Sequence, residues 1–144
     1  MGFAVELCFD ARGAEGWEAQ LERRRALAEE HGCDSQYFTH EIEGKGRQTL
    51  RSDAVQVVTF TDSGFDGFIA FIRALRALPR NCIDCIYEDD TTCKLLYASP
   101  RYVRNMGGAE ARAFRRERRS WRPTTHVEKA VYEAMGRRRS NVVD

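Results

Sequence analysis

A chain of 144 residues, 42% hydrophobic and 31% charged, is long enough to bury a core of its own and too apolar to stay unfolded. No run approaches the roughly 18 apolar residues of a membrane span, and a formal net charge of +1 excludes a uniformly polyacidic or polybasic chain. The balance hides a split: residues 1–100 carry 11 basic and 17 acidic groups (net −6), and residues 101–144 carry 12 and 5 (net +7).

The opening MGFAVELCFD lacks the basic flank and long apolar run of a secretory signal, and Glu6 stands where a myristoylation signal wants Ser or Thr. The expected setting is the cytoplasm, the nucleus or the inside of a particle or assembly, not secretion. The cysteine count of five is odd. It argues for reduced thiols rather than a disulfide framework.

Residues 3–10 alternate, with Phe3, Val5, Leu7 and Phe9 on one side. That is a half-buried strand. A helix is expected from Ala14 to His31, its stripe formed by Trp17, Leu21 and Ala28. Arg23–Arg25 fall largely outside that stripe, and Gly32 serves as the stop. QYFTHEIE alternates again, placing Phe38, His40 and Ile42 together; GKGR turns; TLRSDAVQVVTFT is a long strand. Asp62 or Ser63 caps the next helix, whose apolar positions are Phe65, Phe68, Ile69, Ile72 and Leu75, with Pro79 closing it. CIDCIYE and CKLLYAS are two more strands joined through DDTT.

Beyond the strands the character changes. Ser99 and Pro100 start a short helix that stops at Gly107-Gly108, and AEARAFRRERRSW is a basic helix ended near Pro123. Thr125 and Glu128 form a capping box for a last helix reaching Gly136. The expected fold is therefore α+β. Residues 1–99 form a ferredoxin-like βαββαβ antiparallel sheet with an extra C-terminal hairpin strand. Residues 100–144 form a basic helical extension that docks rather than folds alone.

The segment VVTFTDSGFDGFIAFIRAL, residues 57–75, resembles the third strand and second helix of an RNA-recognition motif domain. That family stacks bases on aromatic side chains of its central strands. Here Asp53 falls where the family's basic residue belongs, and Val55 and Val57 fall where its stacking aromatics belong. The resemblance implies the topology without the RNA-reading surface. A sheet face carrying valines is normally covered. Val55 and Val57 are thus expected to dock apolar side chains, with Phe114 and Trp121 as the anchors, seven apart on one helical face.

Catalytic and metal signals are weak. Cys82 and Cys85 sit three apart in a strand and so face opposite sides, which suits burial better than joint ligation. His40 shares a face with apolar neighbours, as a core histidine does. A small enzyme of the dimeric ferredoxin-like type with a pocket near His40 is the third reading. No cofactor and no metal is expected.

Arg115, Arg116, Arg118, Arg119 and Arg122, with Arg137, Arg138 and Arg139, form the densest basic region. They suit bidentate contacts with carboxylates or phosphates. The leading reading is a non-catalytic interaction protein. It would be a subunit or cement component of a larger assembly, such as a virion, contacting a protein partner or further copies of itself through its sheet face and basic arm. Sequence-independent nucleic-acid binding by the arm is the second reading, and no membrane partner is expected.

Overall fold

A computed structural model describes residues 2–10, 17–42, 51–78, 83–89 and 94–135. Five strands, β1 (Gly2–Asp10), β2 (Asp34–Ile42), β3 (Arg51–Thr61), β4 (Cys85–Glu88) and β5 (Leu95–Ala98), make one sheet. Its order is β2-β3-β1-β4-β5, and every neighbouring pair is antiparallel. The helices are α1 (Trp17–Glu30), α2 (Phe65–Ala77), α3 (Pro100–Arg104), α4 (Gly108–Arg119) and α5 (His126–Met135). The chain is thus mixed α+β around a five-stranded antiparallel sheet. None of the described helices is long and apolar enough to cross a membrane.

Alternation of side chains assigns the two faces. Val5 lies opposite Val58, and Leu7 lies opposite Gln56 on one side and Ile86 on the other. These positions form the first face. Cys8 lies opposite Val55 and Cys85, and Glu6 opposite Val57 and Tyr87, on the second face.

The main core fills the first face. It joins Val5, Leu7, Val58, Phe60 and Ile86 to Phe68, Phe71, Ile72 and Leu75 of α2 and to Val127, Ala130, Val131 and Ala134 of α5. Each Val, Leu, Ile or Phe among them contributes about 1.5–3 kcal/mol on full burial. Phe60 stacks on Phe68 with centroids 4.5 Å apart and planes 16° apart. Phe65 meets Phe60 edge-on at 5.2 Å. The aromatic residues that carry the resemblance to the RNA-binding family are therefore spent on packing. Helix α5 is built into this core beside α2: Arg76 Nη1 donates to the Ala134 carbonyl at 3.3 Å, and Arg73 pairs with Glu133 at 3.2 Å.

Several helix ends match the expectations from residue type. Gly32 follows α1 with φ +77°, a left-handed value that favours glycine. The Ser99 hydroxyl accepts from the Tyr102 amide at 3.1 Å, with Pro100 at the first helical position. Thr125 Oγ1 accepts from the Glu128 amide at 3.0 Å, and the Glu128 carboxylate accepts in return at 3.3 Å from the amide of Thr124, one residue before the partner a capping box uses.

Other expectations change. Asp62 and Ser63 do not cap α2; they open a single 3-10 turn, Asp62–Gly64, and Gly64 is the cap residue without a side-chain bond. The pair Gly107-Gly108 does not merely stop a helix. Gly107 is the N-cap of α4 and Gly108 its first residue. Arg24 was expected outside the α1 stripe, yet it is fully buried. Its guanidinium lies 3.7 Å above the Phe9 ring, and its Nε donates to Gln56 at 3.2 Å. Pro79, Cys82, Cys93, the GKGR turn, most of DDTT, and Arg137–Arg139 lie outside the described residues, as do the side chains of Trp17 and His40.

Candidate functional site

The second sheet face is where the basic segment meets the sheet. Cys8, Val55 and Cys85 form a small buried cluster there, with Val57, Tyr87, Leu95 and Tyr102 packed against it. A neighbouring cluster joins Ala98 of β5 to Val103 of α3 and to Ala111 and Phe114 of α4, and it too is lined by Leu95 and Tyr102. Helices α3 and α4 therefore cover the sheet over β1, β4 and β5. Val55 is 0% exposed, while Val57 stays half-buried toward β2, where its neighbour Gln36 is exposed.

Polar contacts at Asp84 and between two tyrosines fix the entry into this cover. Asp84, buried just before β4, accepts from Arg101 Nη2, and the Ser99 hydroxyl lies 3.5 Å from its other oxygen. The hydroxyls of Tyr87 and Tyr102 lie 2.7 Å apart between strand and helix. Burial pushes the Tyr87 phenol up to about 12, offset in part by its bond to Tyr102. Burial raises Tyr102 further, and the nearby Cys85 adds to the rise. Asp84 and Arg101 had not been singled out from the sequence. The available signal was an aspartate inside the otherwise apolar run CIDCI, which calls for a buried partner.

Helix α4 sorts its arginines by helical phase. Ala111, Phe114 and Arg118 share the buried side. Arg112, Arg116 and Arg119 recur at the same spacing on the exposed side. None of these three makes an ion pair among the described residues. Arg115 is half-buried, and Arg122, beyond the helix, is exposed.

Arg118 departs from the expectation that it reaches outward. Its Nη2 donates to the Leu95 carbonyl, and its guanidinium sits 4.1 Å from the Trp121 ring and 5.2 Å from that of Phe114. Burial lowers its pKa from the usual arginine value, opposed by Glu117 and Glu128. Trp121 also departs from expectation. The helix ends at Arg119, so Trp121 does not share a helical face with Phe114. It turns toward α5 instead and meets the Tyr132 ring at 5.9 Å.

No group of His, Cys, Asp and Glu among the described residues is arranged to hold a metal ion. A groove of about 310 Å3 lies between α2 and α5, lined by Phe65, Ile69, His126, Lys129, Ala130 and Glu133. Searches of protein-family models, of curated proteins and of solved structures find no match to this chain.

Proposed function

We propose that this protein is a non-catalytic interaction component, binding a protein partner through the exposed basic side of α4. The observation that carries the reading is the division of labour in that helix. Phe114 and Arg118 fasten it to its own sheet, which leaves Arg112, Arg116 and Arg119 in a line facing solvent. A helix fixed by packing presents its guanidinium groups at low entropic cost. Carboxylates of a partner surface suit them, and residues 1–100 of the chain itself carry an excess of acidic groups. A subunit or cement role in a larger assembly fits such a two-signed molecule.

At the level of fold, we read β1-α1-β2-β3-α2-β4 as a ferredoxin-like unit extended by β5. The neighbour order β2-β3-β1-β4 and the placement of α1 and α2 on one face support that reading.

Phosphates compete for the same three arginines, so the test separates the two. Light scattering after size exclusion, with crosslinking in extract of the natural host, is run on the wild type and on Arg112→Ala/Arg116→Ala/Arg119→Ala. The proposal expects an oligomer or a defined protein complex that weakens in the variant. A monomer that captures no protein, but binds DNA with strong salt dependence, replaces it with the nucleic-acid reading. A monomer that does neither removes both.

A further inference from the structure

The register of the sheet places two thiols against each other. Cys8 of β1 and Cys85 of β4 are direct cross-strand partners, and both belong to the buried cluster of the second face. In antiparallel pairs, directly opposed Cα atoms lie about 4.5 Å apart at one kind of site and about 5.5 Å at the other. Disulfides accept Cα separations of about 4.4–6.8 Å. Either kind of site therefore falls within reach of a bond, and opposed residues project to the same side of the pleat.

We propose that Cys8 and Cys85 are a site of oxidative modification, closing a cross-strand disulfide in the folded protein. This inference is independent of the proposed binding role of α4. Both residues stand as thiols in the structure. The oxidant is a peroxide, small enough to enter beside the tyrosine cover. Cys8, at 6% exposure against 1% for Cys85, meets it first. Its sulfur takes an oxygen from the peroxide to give a sulfenic acid and one water. The Cys85 sulfur then attacks that sulfur, forming the S–S bond and releasing the second water. Two thiols are oxidised by two electrons, and one hydrogen peroxide is reduced to two waters.

The neighbourhood argues for this pair. Cys33 sits in the other cluster, on the first face, where burial pushes its thiol up to about 11 with Asp34 adding to the rise. A thiol held protonated is a poor nucleophile. The Cys8–Cys85 bond would tie the central strand β1 to β4, directly beneath Tyr102 of α3.

The test uses the intact native protein. It is treated with hydrogen peroxide at neutral pH, its remaining thiols are alkylated, and it is digested without reduction for mass spectrometry. The expected product is 2 Da lighter (two hydrogens lost), links the Cys8 and Cys85 peptides, and leaves Cys33 alkylated. Its unfolding midpoint in urea lies above that of the reduced protein, and dithiothreitol reverses the gain. Cys85→Ser must lose the link while keeping the native circular dichroism; if it misfolds, Cys8→Ser serves the same purpose. Alkylation of both Cys8 and Cys85 after peroxide overturns the proposal. So does a bond from either to Cys82 or Cys93, or a link that forms only in denaturant.

Discussion

Arg118 of α4 donates a hydrogen bond to the backbone carbonyl of Leu95, the first residue of β5. The bond spans 23 positions and brings a cation into the seam between helix and edge strand. Its Nε and Nη1 are buried without a hydrogen-bond partner. The residue therefore acts chiefly through its stem and its flat face against Trp121 and Phe114. Arg118→Ala should cost about 2 kcal/mol, from lost packing and an unmet carbonyl. Arg118→Met, which keeps the stem and sheds the desolvated charge, should cost under about 1 kcal/mol. Urea unfolding of the two variants decides it. Equal losses would mean that the charge, not the packing, holds α4.

Gly67 allows α1 and α2 to approach. A Cβ there would lie 2.3 Å from the His31 carbonyl oxygen, a backbone atom with little room to give. Glycine-to-alanine changes inside helices usually stabilise by about 1 kcal/mol. At this position the sign should reverse, with a loss of about 2 kcal/mol or more. Thermal unfolding of Gly67→Ala checks it. A raised midpoint would show that the two helices do not cross this closely in solution.

Glu128 makes the acid limb of stability. Burial pushes its carboxyl up, but bonds from the Thr124 amide, Lys94 and Thr125 outweigh that and hold it below the usual range. Its contact with Lys94 Nζ is 3.3 Å, and the Glu128 side chain is almost wholly buried. A depressed folded-state value means stability that is present above the unfolded value of about 4.3 and lost as pH falls below it. Glu128→Gln retains the capping geometry and loses the charge, so it should cost about 1 kcal/mol at pH 7. The gap between variant and wild type should narrow toward pH 3. Urea midpoints at pH 7, 5 and 3 supply the measurement, and a gap that stays constant removes Glu128 from the acid response.

What could be read from the sequence was set by how well period and residue type agree. Alternation located β1 and β2, turn residues bounded β3, β4 and β5, and the apolar spacing of Phe68, Ile72 and Leu75 located α2, where burial and hydrophobicity coincide. Arg24 shows the opposite case. Leu21, Arg24 and Ala28 fall on one stripe by helical phase, but a charged residue is normally placed outside. Its contacts with Phe9 and Gln56, made across the sheet face, hold it inside. Arg118 repeats the pattern: it shares a phase with Ala111 and Phe114, yet its charge assigned it to solvent. The pairing of Phe114 with Trp121 assumed that the helix continues through Ser120, where the chain in fact turns. Opposed cysteines on β1 and β4 are a matter of register between distant strands, and no local pattern encodes that.

Tyr87 and Tyr102 set the alkaline limb, with the sign opposite to that of Glu128. Both phenols are raised above their ordinary value near 10, Tyr87 to about 12, first of all by burial. The native state thus keeps its protons while the unfolded chain loses them. Their contribution is fully present below about pH 10 and is lost as pH climbs through the folded values. Tyr102→Phe removes one titrating group and leaves the Tyr87 hydroxyl without this 2.7 Å partner. At pH 7 it should cost about 1 kcal/mol. At pH 11 the deficit should shrink, because the wild type is by then losing stability that the variant never had. Urea midpoints at pH 7, 9 and 11 test the convergence. Parallel curves for variant and wild type would place the alkaline response elsewhere and would mean that Tyr102 is not sealed between α3 and the sheet.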